Sequence, residues 1–319
     1  MLEVNADLKK KFEETASAMR LRLEKRPSPS SLRSIIAEKG LGNFVMCERL
    51  GQKELSGITQ KGGIVGVDGS TNSAGGPFPY LFTLQQALAK LCISGENDLL
   101  VTDAFSPLIT EDVANEEEYQ EFVKHNLAQL EAKAALLGLE KFKPAVILLD
   151  GSLVRYKIEA GALWNKLKEE AISQKVLLAG VVEGISTGII SQCLKDALDM
   201  DGFPASDWEI LFGLLQVGEA LEIMPGLFKE GFRTLFMRSS LDPKPIGIDL
   251  LEEQQEAIGL VPNLVFTLTP KESRGIPLWL DIIDKSVRIS DAVMEGLLHT
   301  YLGEDYVEFI KPKREKREM

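Results

Sequence analysis

Histidine is almost absent from this 319-residue chain, which carries only His125 and His299. That excludes histidine-rich metal centres and leaves carboxylates as the groups that could gather a cation. Cysteine is nearly as scarce. Cys47, Cys92 and Cys193 are odd in number and widely spaced, which fits neither a disulfide framework nor a zinc site. No apolar run reaches the ~18 residues of a membrane span, and the start MLEVNADLKK lacks the basic and apolar stretches of a secretion signal. These absences predict a soluble, cytoplasmic protein. Basic residues are outnumbered 36 to 48, for a net charge of −12, so no broad nucleic-acid-binding surface is expected. A nuclease that takes its positive charge from bound cations remains compatible with that balance, because clustered acids are what hold such ions.

What the chain has is 45% hydrophobic residues, enough for a sizeable core, arranged as short strands alternating with helices. Helix is predicted over residues 2–25 and again, after the RPSPSS break, up to Gly40. Residues 1–60 are therefore expected to form a helical arm, followed by a main domain over 61–310 and a solvated charged tail over 311–319. Strands are predicted over 63–67, at DLLVTDAF, over 145–149 and at VLLAGVV, and YLFTLQQALAKLCIS reads better as a hairpin strand than as a helix. A long helix is expected from Thr110, with Glu111 and Asp112 in its first turn. Its apolar residues Tyr119, Val123, Leu127, Leu130, Ala134 and Leu137 recur at helical spacing, and Gly138 is expected to end it. Helices follow over 160–172 and 189–198. Beyond Asp201, FRTLFMRSS and LVFTLT are predicted strands, and PLWLDIIDKSVRISDAVMEGLLHTYL is largely helical. The pattern is that of an α/β chain with a mixed sheet.

Two stretches repeat one motif. GIVGVDGST (63–71) and AVILLDGSL (145–153) are each an apolar run that stops at an Asp, followed by Gly and Ser. Asp-Gly after a strand is a common turn. The alternative is a shared site: adjacent strands lie ~4.8 Å apart, so Asp68 and Asp150 could reach one divalent cation, with each glycine leaving the approach open. Paired carboxylates suit Mg²⁺ or Mn²⁺. Glu131 flanks the apolar stripe of the long helix, where a carboxylate faces towards the sheet.

These residues carry a family resemblance. GIVGVDGST, a helix bearing QLEAKAALLG, and then AVILLDGSL together resemble the NurA family of DNA-end-processing nucleases. The resemblance covers most of the chain after about residue 60. It implies an RNase H-like mixed sheet flanked by helices, and a Mn²⁺-dependent (or Mg²⁺-dependent) acidic site, with two ions held by Asp68, Glu131 and Asp150. It also implies DNA as substrate, 5′-to-3′ exonuclease and single-strand endonuclease action at double-strand breaks, a HerA-type hexameric ATPase as partner, and a homodimer. Where the family carries a late Tyr and His, RGIPLWLDIIDKSVRISD has Asp284 in the histidine's place and no Tyr. Asp284 becomes the expected fourth ligand, with Asp281 as the competing choice. Arg155 and Lys157, just beyond the second motif, could steady the DNA backbone.

Three other readings compete. GISTG (184–188) matches a nucleophile elbow, with Asp249 and His299 following in order, but Glu183 and Gly184 interrupt the strand that should lead into the serine. VDGSTNSAGG could be the phosphate loop of an actin-like or sugar-kinase-type ATPase, though no Walker motif follows. An inactive adaptor of a DNA-translocating ATPase would keep the fold without turnover.

Overall fold

The computed structural model describes residues 5–24, 26–92, 98–111, 113–198 and 206–305. The expected charged tail and Asp112 lie outside them. Helices α1 (Ala6–Glu24) and α2 (Pro29–Glu38) come first, then strand β1 (Gly42–Met46) and helix α3 (Gln52–Gln60). Strands β2 (Ile64–Gly75), β3 (Leu81–Leu91) and β4 (Leu99–Phe105) form an antiparallel meander. Helix α4 (Glu116–Phe142) leads into β5 (Val146–Asp150), α5 (Leu153–Glu159), α6 (Ala162–Ser173) and β6 (Leu177–Val182). Next come α7 (Ile189–Leu198), α8 (Asp207–Leu211), β7 (Glu219–Ile223), β8 (Phe232–Met237) and β9 (Ile246–Leu251). Helices α9 (Gln255–Leu268), α10 (Leu278–Val287) and α11 (Asp291–Leu302) complete the described chain.

The nine strands lie in one sheet in the order β1-β7-β8-β9-β6-β5-β2-β3-β4. Strand β5 runs parallel to β2, and β6 parallel to β5. That half, a three-strand meander joined to two parallel strands, is the RNase H-like arrangement. The other four strands extend it with antiparallel pairs.

Period-2 alternation sends the strand side chains to two covered faces. Val65, Val67, Ile147 and Leu149 pack with Ala128, Ala132, Ala135 and Leu139 of α4. Ile64, Val146 and Leu148 pack on the opposite side with Leu264 of α9 and Leu280 and Ile283 of α10. Helix α4 begins at an Asn115 cap that accepts from Glu118 N at 3.0 Å, later than the expected start at Thr110. Gly138 does not end it. A Cβ there would stand 3.2 Å from Val65 and 3.3 Å from Ala89, so the glycine lets the helix lie close on the sheet.

One further sequence expectation needs correction, and the helical arm is met with an addition. LVFTLT is helical, part of α9, where Thr267 and Thr269 turn their hydroxyls back onto the carbonyls of Asn263 and Val265. Its run of apolar residues reflects burial, not strand pleating. The first 60 residues are also more than helices. Helix α1 buries no residue, as an arm would, but α2 sinks Leu32 and Ile36 into a core with Ile190, Leu194 and Ile210, and β1 joins the sheet edge beside β7. The long terminal helical stretch is two helices, separated where Ser290 caps α11. No helix among the described residues is long and apolar enough to cross a membrane.

Candidate active site

The parallel pairing of β2 with β5 matches Val67 to Leu149. Asp68 and Asp150 are the next residues on each strand, so they stand side by side across ~4.8 Å of sheet. Both follow residues that pack against α4, Val67 and Leu149, so by alternation both take the opposite face, that of α9 and α10. The two Asp-Gly-Ser motifs are otherwise unlike. Asp150 ends β5, and Gly151 (φ +110°) turns the chain into α5, which Ser152 caps by accepting from Val154 N. Asp68 lies inside β2, which runs unbroken to Gly75 paired with β3; the expectation that it ends a strand was wrong. The same ladder commits the backbone of VDGSTNSAGG to sheet pairing, so no phosphate loop forms there.

Asp68 is 8% exposed. Burial pushes its carboxyl up to about 6, and the charge of Asp284 adds to the rise, against a 2.7 Å hydrogen bond from Gly69 N and the positive charges of Arg155 and Arg274. Asp150 is pushed up to about 7, by burial first, then by Asp68, Asp284 and Glu183, with Arg274 opposing. Each carboxylate raises the cost of ionising the other, an arrangement concentrated at functional sites.

Asp284 on α10 is exposed and acts on both aspartates through its charge. Asp281, one turn earlier, is occupied: Arg274 donates to its Oδ1 through Nη2 at 2.7 Å and through Nε at 2.9 Å, and reaches Glu183 through Nη1 at 2.6 Å. Of the two candidates, Asp284 is the one left facing the pair.

Glu131 is 1% exposed and sits on the other side of β2. A Cβ on Gly69 would come within 2.6 Å of its Oε1, so a larger residue at that position would displace it. Its Oε2 accepts from Arg155 Nη2. The structure thus joins Asp68, Asp150 and Asp284 on one face and holds Glu131 apart in an ion pair. Among the described residues, no three His, Cys, Asp or Glu side chains are gathered closely enough to hold a metal ion as they stand. The fit to a divalent cation rests instead on the buried Asp68–Asp150 pair, an all-oxygen donor set whose ionisation is costly without a partner of positive charge.

Sequence reasoning missed Arg274 and Glu183, because nothing local marks two residues 91 apart as an ion pair. It named Arg155 for the DNA backbone, without the link to Glu131. Lys157 reaches the carbonyl of Glu230 at 3.3 Å. The nucleophile-elbow reading fails on its acid. Asp249 is fully buried and bound by Lys229 at 2.7 and 2.8 Å, by Thr234 at 2.8 Å and by Ser152 at 2.6 Å. His299 is exposed on α11.

A family model described as the NurA domain matches residues 62–289. Among solved structures, the NurA nuclease from Sulfolobus solfataricus is similar with a TM-score of 0.61 at 13% identity, covering 96% of this chain and 98% of that one. At that identity the likeness is one of fold. Endonuclease V from Bacillus subtilis aligns with a TM-score of 0.40 at 14% identity, over 88% of this chain and 95% of its own. No curated protein matches the sequence significantly.

Proposed function

The chain belongs to the NurA family, and from that membership and its buried aspartate pair we propose that it is a metal-dependent DNA nuclease. The observation that carries the reading is Asp68 beside Asp150, pushed up to about 6 and about 7 on neighbouring parallel strands. Two such carboxylates destabilise an empty site and favour a cation that would share them. Oxygen donors alone suit Mn²⁺ or Mg²⁺. Asp68 and Asp150 would hold the metal, with Asp284 from the same face, and Glu131 would join once released from Arg155. Bound there, such ions would supply an activated water and positive charge at the scissile phosphate.

The chain's own groups support that chemistry. Arg155 and Arg274 flank the carboxylates, and their guanidinium groups suit a phosphodiester anion. Arg155 is held between two carboxylates, Glu131 at Nη2 and Glu159 3.6 Å from the buried Nε, and would turn to phosphate as cations draw those carboxylates away. Gly151 keeps the approach to Asp150 free of a side chain.

The finer activity follows the family resemblance. It comprises 5′-to-3′ exonuclease and single-strand endonuclease action in double-strand break processing, by a cytoplasmic homodimer working with a HerA-type hexameric ATPase. The test is incubation with end-labelled single- and double-stranded DNA in Mn²⁺, Mg²⁺ or EDTA, without ATP. Shortening of the label in metal and none in EDTA is expected; cleavage that ignores EDTA, or needs ATP, contradicts the reading. A second reading, an adaptor without turnover, is favoured by the Arg155–Glu131 ion pair. It predicts DNA or partner binding with no cleavage in any metal.

A further inference from the structure

The GISTG loop, which the nuclease chemistry leaves without a role, forms one wall of a cleft of about 310 Å³ whose lining begins at Ser152, two residues past Asp150. Arg155 links the cleft to the aspartates: it lines the cleft, and its charge acts on Asp68. Helix α5 supplies the facing wall, and β8 and β9 supply the floor. The volume falls in the range of small-ligand pockets.

Its chemistry favours a flat, uncharged group. Ile158 stands on the rim 71% exposed, an apolar side chain held in water, with Ile185 and Phe236 deeper in. Lys229, at the polar end, already donates to both oxygens of Asp249, so it offers little to an anion. Thr187 Oγ1 is buried and makes no hydrogen bond in the described structure. A hydroxyl both donates and accepts, so it can meet any of the base edges. The loop that presents it is fixed from below, because Asp207 donates through its backbone N–H to Thr187 O at 2.9 Å and its carboxylate accepts from Ile189 N and Ser191 N.

We propose that this cleft receives a nucleobase of the strand being cut, next to the scissile phosphate, packed on Ile158 and Ile185 and hydrogen-bonded to Thr187. The proposal rests on the nuclease reading and adds the feature of DNA that the enzyme grips beside the phosphate. Apolar and stacking contacts tolerate every base, so the grip would register the presence of a base more than its identity.

The experiment uses labelled single strands in which one abasic nucleotide is moved through the sequence, cut in Mn²⁺ by the wild type, by Thr187→Val and by Ser186→Trp. Ser186 is an exposed residue of the cleft wall whose enlargement would fill it. Wild-type kcat/KM should fall about tenfold for cuts beside the abasic position, as loss of the base's apolar packing on Ile158 and Ile185 predicts. Ser186→Trp should cut natural and abasic strands equally slowly, and Thr187→Val should lose a few-fold on natural strands alone. Wild-type indifference to the missing base, or full discrimination by Ser186→Trp, overturns the proposal. A second readout avoids catalysis. In EDTA, 2-aminopurine in the strand should change its emission on binding wild type and not on binding Ser186→Trp, and equal responses would overturn the proposal. Absence of cleavage in any metal would sink the nuclease reading instead, and the fluorescence comparison would still decide the cleft.

Discussion

Arg155, in the first turn of the helix that follows the Asp150 strand, donates to Glu131 on α4, whose carboxylate is almost wholly buried. The guanidinium is one-third exposed, so solvent screens part of the attraction. Arg155→Met should nonetheless cost about 2 kcal/mol, because it strands a buried charge. Adding Glu131→Gln to that variant should restore most of the loss. Urea denaturation of the two single variants and the double variant measures the coupling; additive losses would show that the pair contributes nothing specific.

The aspartate pair predicts a pH signature. Unfolded, each Asp titrates near ~3.9; folded, they titrate at about 6 and about 7. The folded state therefore holds these protons more tightly. The stability this gives is fully present below about pH 4 and is lost as pH rises through about 6 to about 7. Metal-free protein should melt at lower temperature at about pH 8 than at about pH 5 on this account, with the slope reduced in Asp68→Asn and Asp150→Asn. Mn²⁺ should raise the melting temperature most at the higher pH, since it binds the ionised carboxylates. Melting that is flat in pH and insensitive to either substitution would refute the coupling.

Asp284 and Asp281 should separate cleanly. Asp284 acts by charge on both aspartates, while Asp281 is held by Arg274. Asp284→Asn is expected to reduce cleavage about tenfold or more and to shift its Mn²⁺ titration to higher concentration. Asp281→Asn breaks a half-exposed ion pair and should cost under about 1 kcal/mol of stability. Cleavage rates across a Mn²⁺ titration decide it, and the reverse ranking would make Asp281 the fourth ligand.

Two glycines have different tasks that alanine would expose. At Gly180 a Cβ would collide with the carbonyl oxygen of Gly151, a backbone atom that cannot yield. At Gly69 it would press on Glu131 and Leu127, whose side chains can move. Gly180→Ala should cost about 3 kcal/mol or more, and Gly69→Ala about 1–3 kcal/mol together with displacement of Glu131. Thermal melts rank the two.

The aspartate pair was legible in the sequence because both strands are buried on both faces, so a charged residue ending each apolar run stands out. Helix α4 was legible from its period, the chain order of strands and helices indicated an α/β chain with a mixed sheet, and the family resemblance implied its RNase H-like half. What stayed hidden was whatever depends on distant residues. The outer strand β1, with its mixed exposure, reads as loop. The α9 segment Leu264 to Leu268 is too short to show a period by itself; over the whole helix the buried residues Ala257, Val261, Leu264 and Val265 recur at helical spacing. Asp249 resembled a catalytic acid until Lys229, Thr234 and Ser152 were seen to satisfy it. Face assignment also needed the register: Glu131 sits near the sheet, as its place on the helix implied, but across β2 from the aspartates.

The most direct measurement is cleavage of an end-labelled single strand in Mn²⁺ by wild type beside Asp150→Asn, a near-isosteric change that removes the charge. With matched circular dichroism, wild type should shorten the strand and Asp150→Asn should be slower by at least about a hundredfold, without gaining activity at any Mn²⁺ concentration. A folded Asp150→Asn protein that cuts at the wild-type rate would contradict the assignment of Asp68 and Asp150 as the paired carboxylates of the active site.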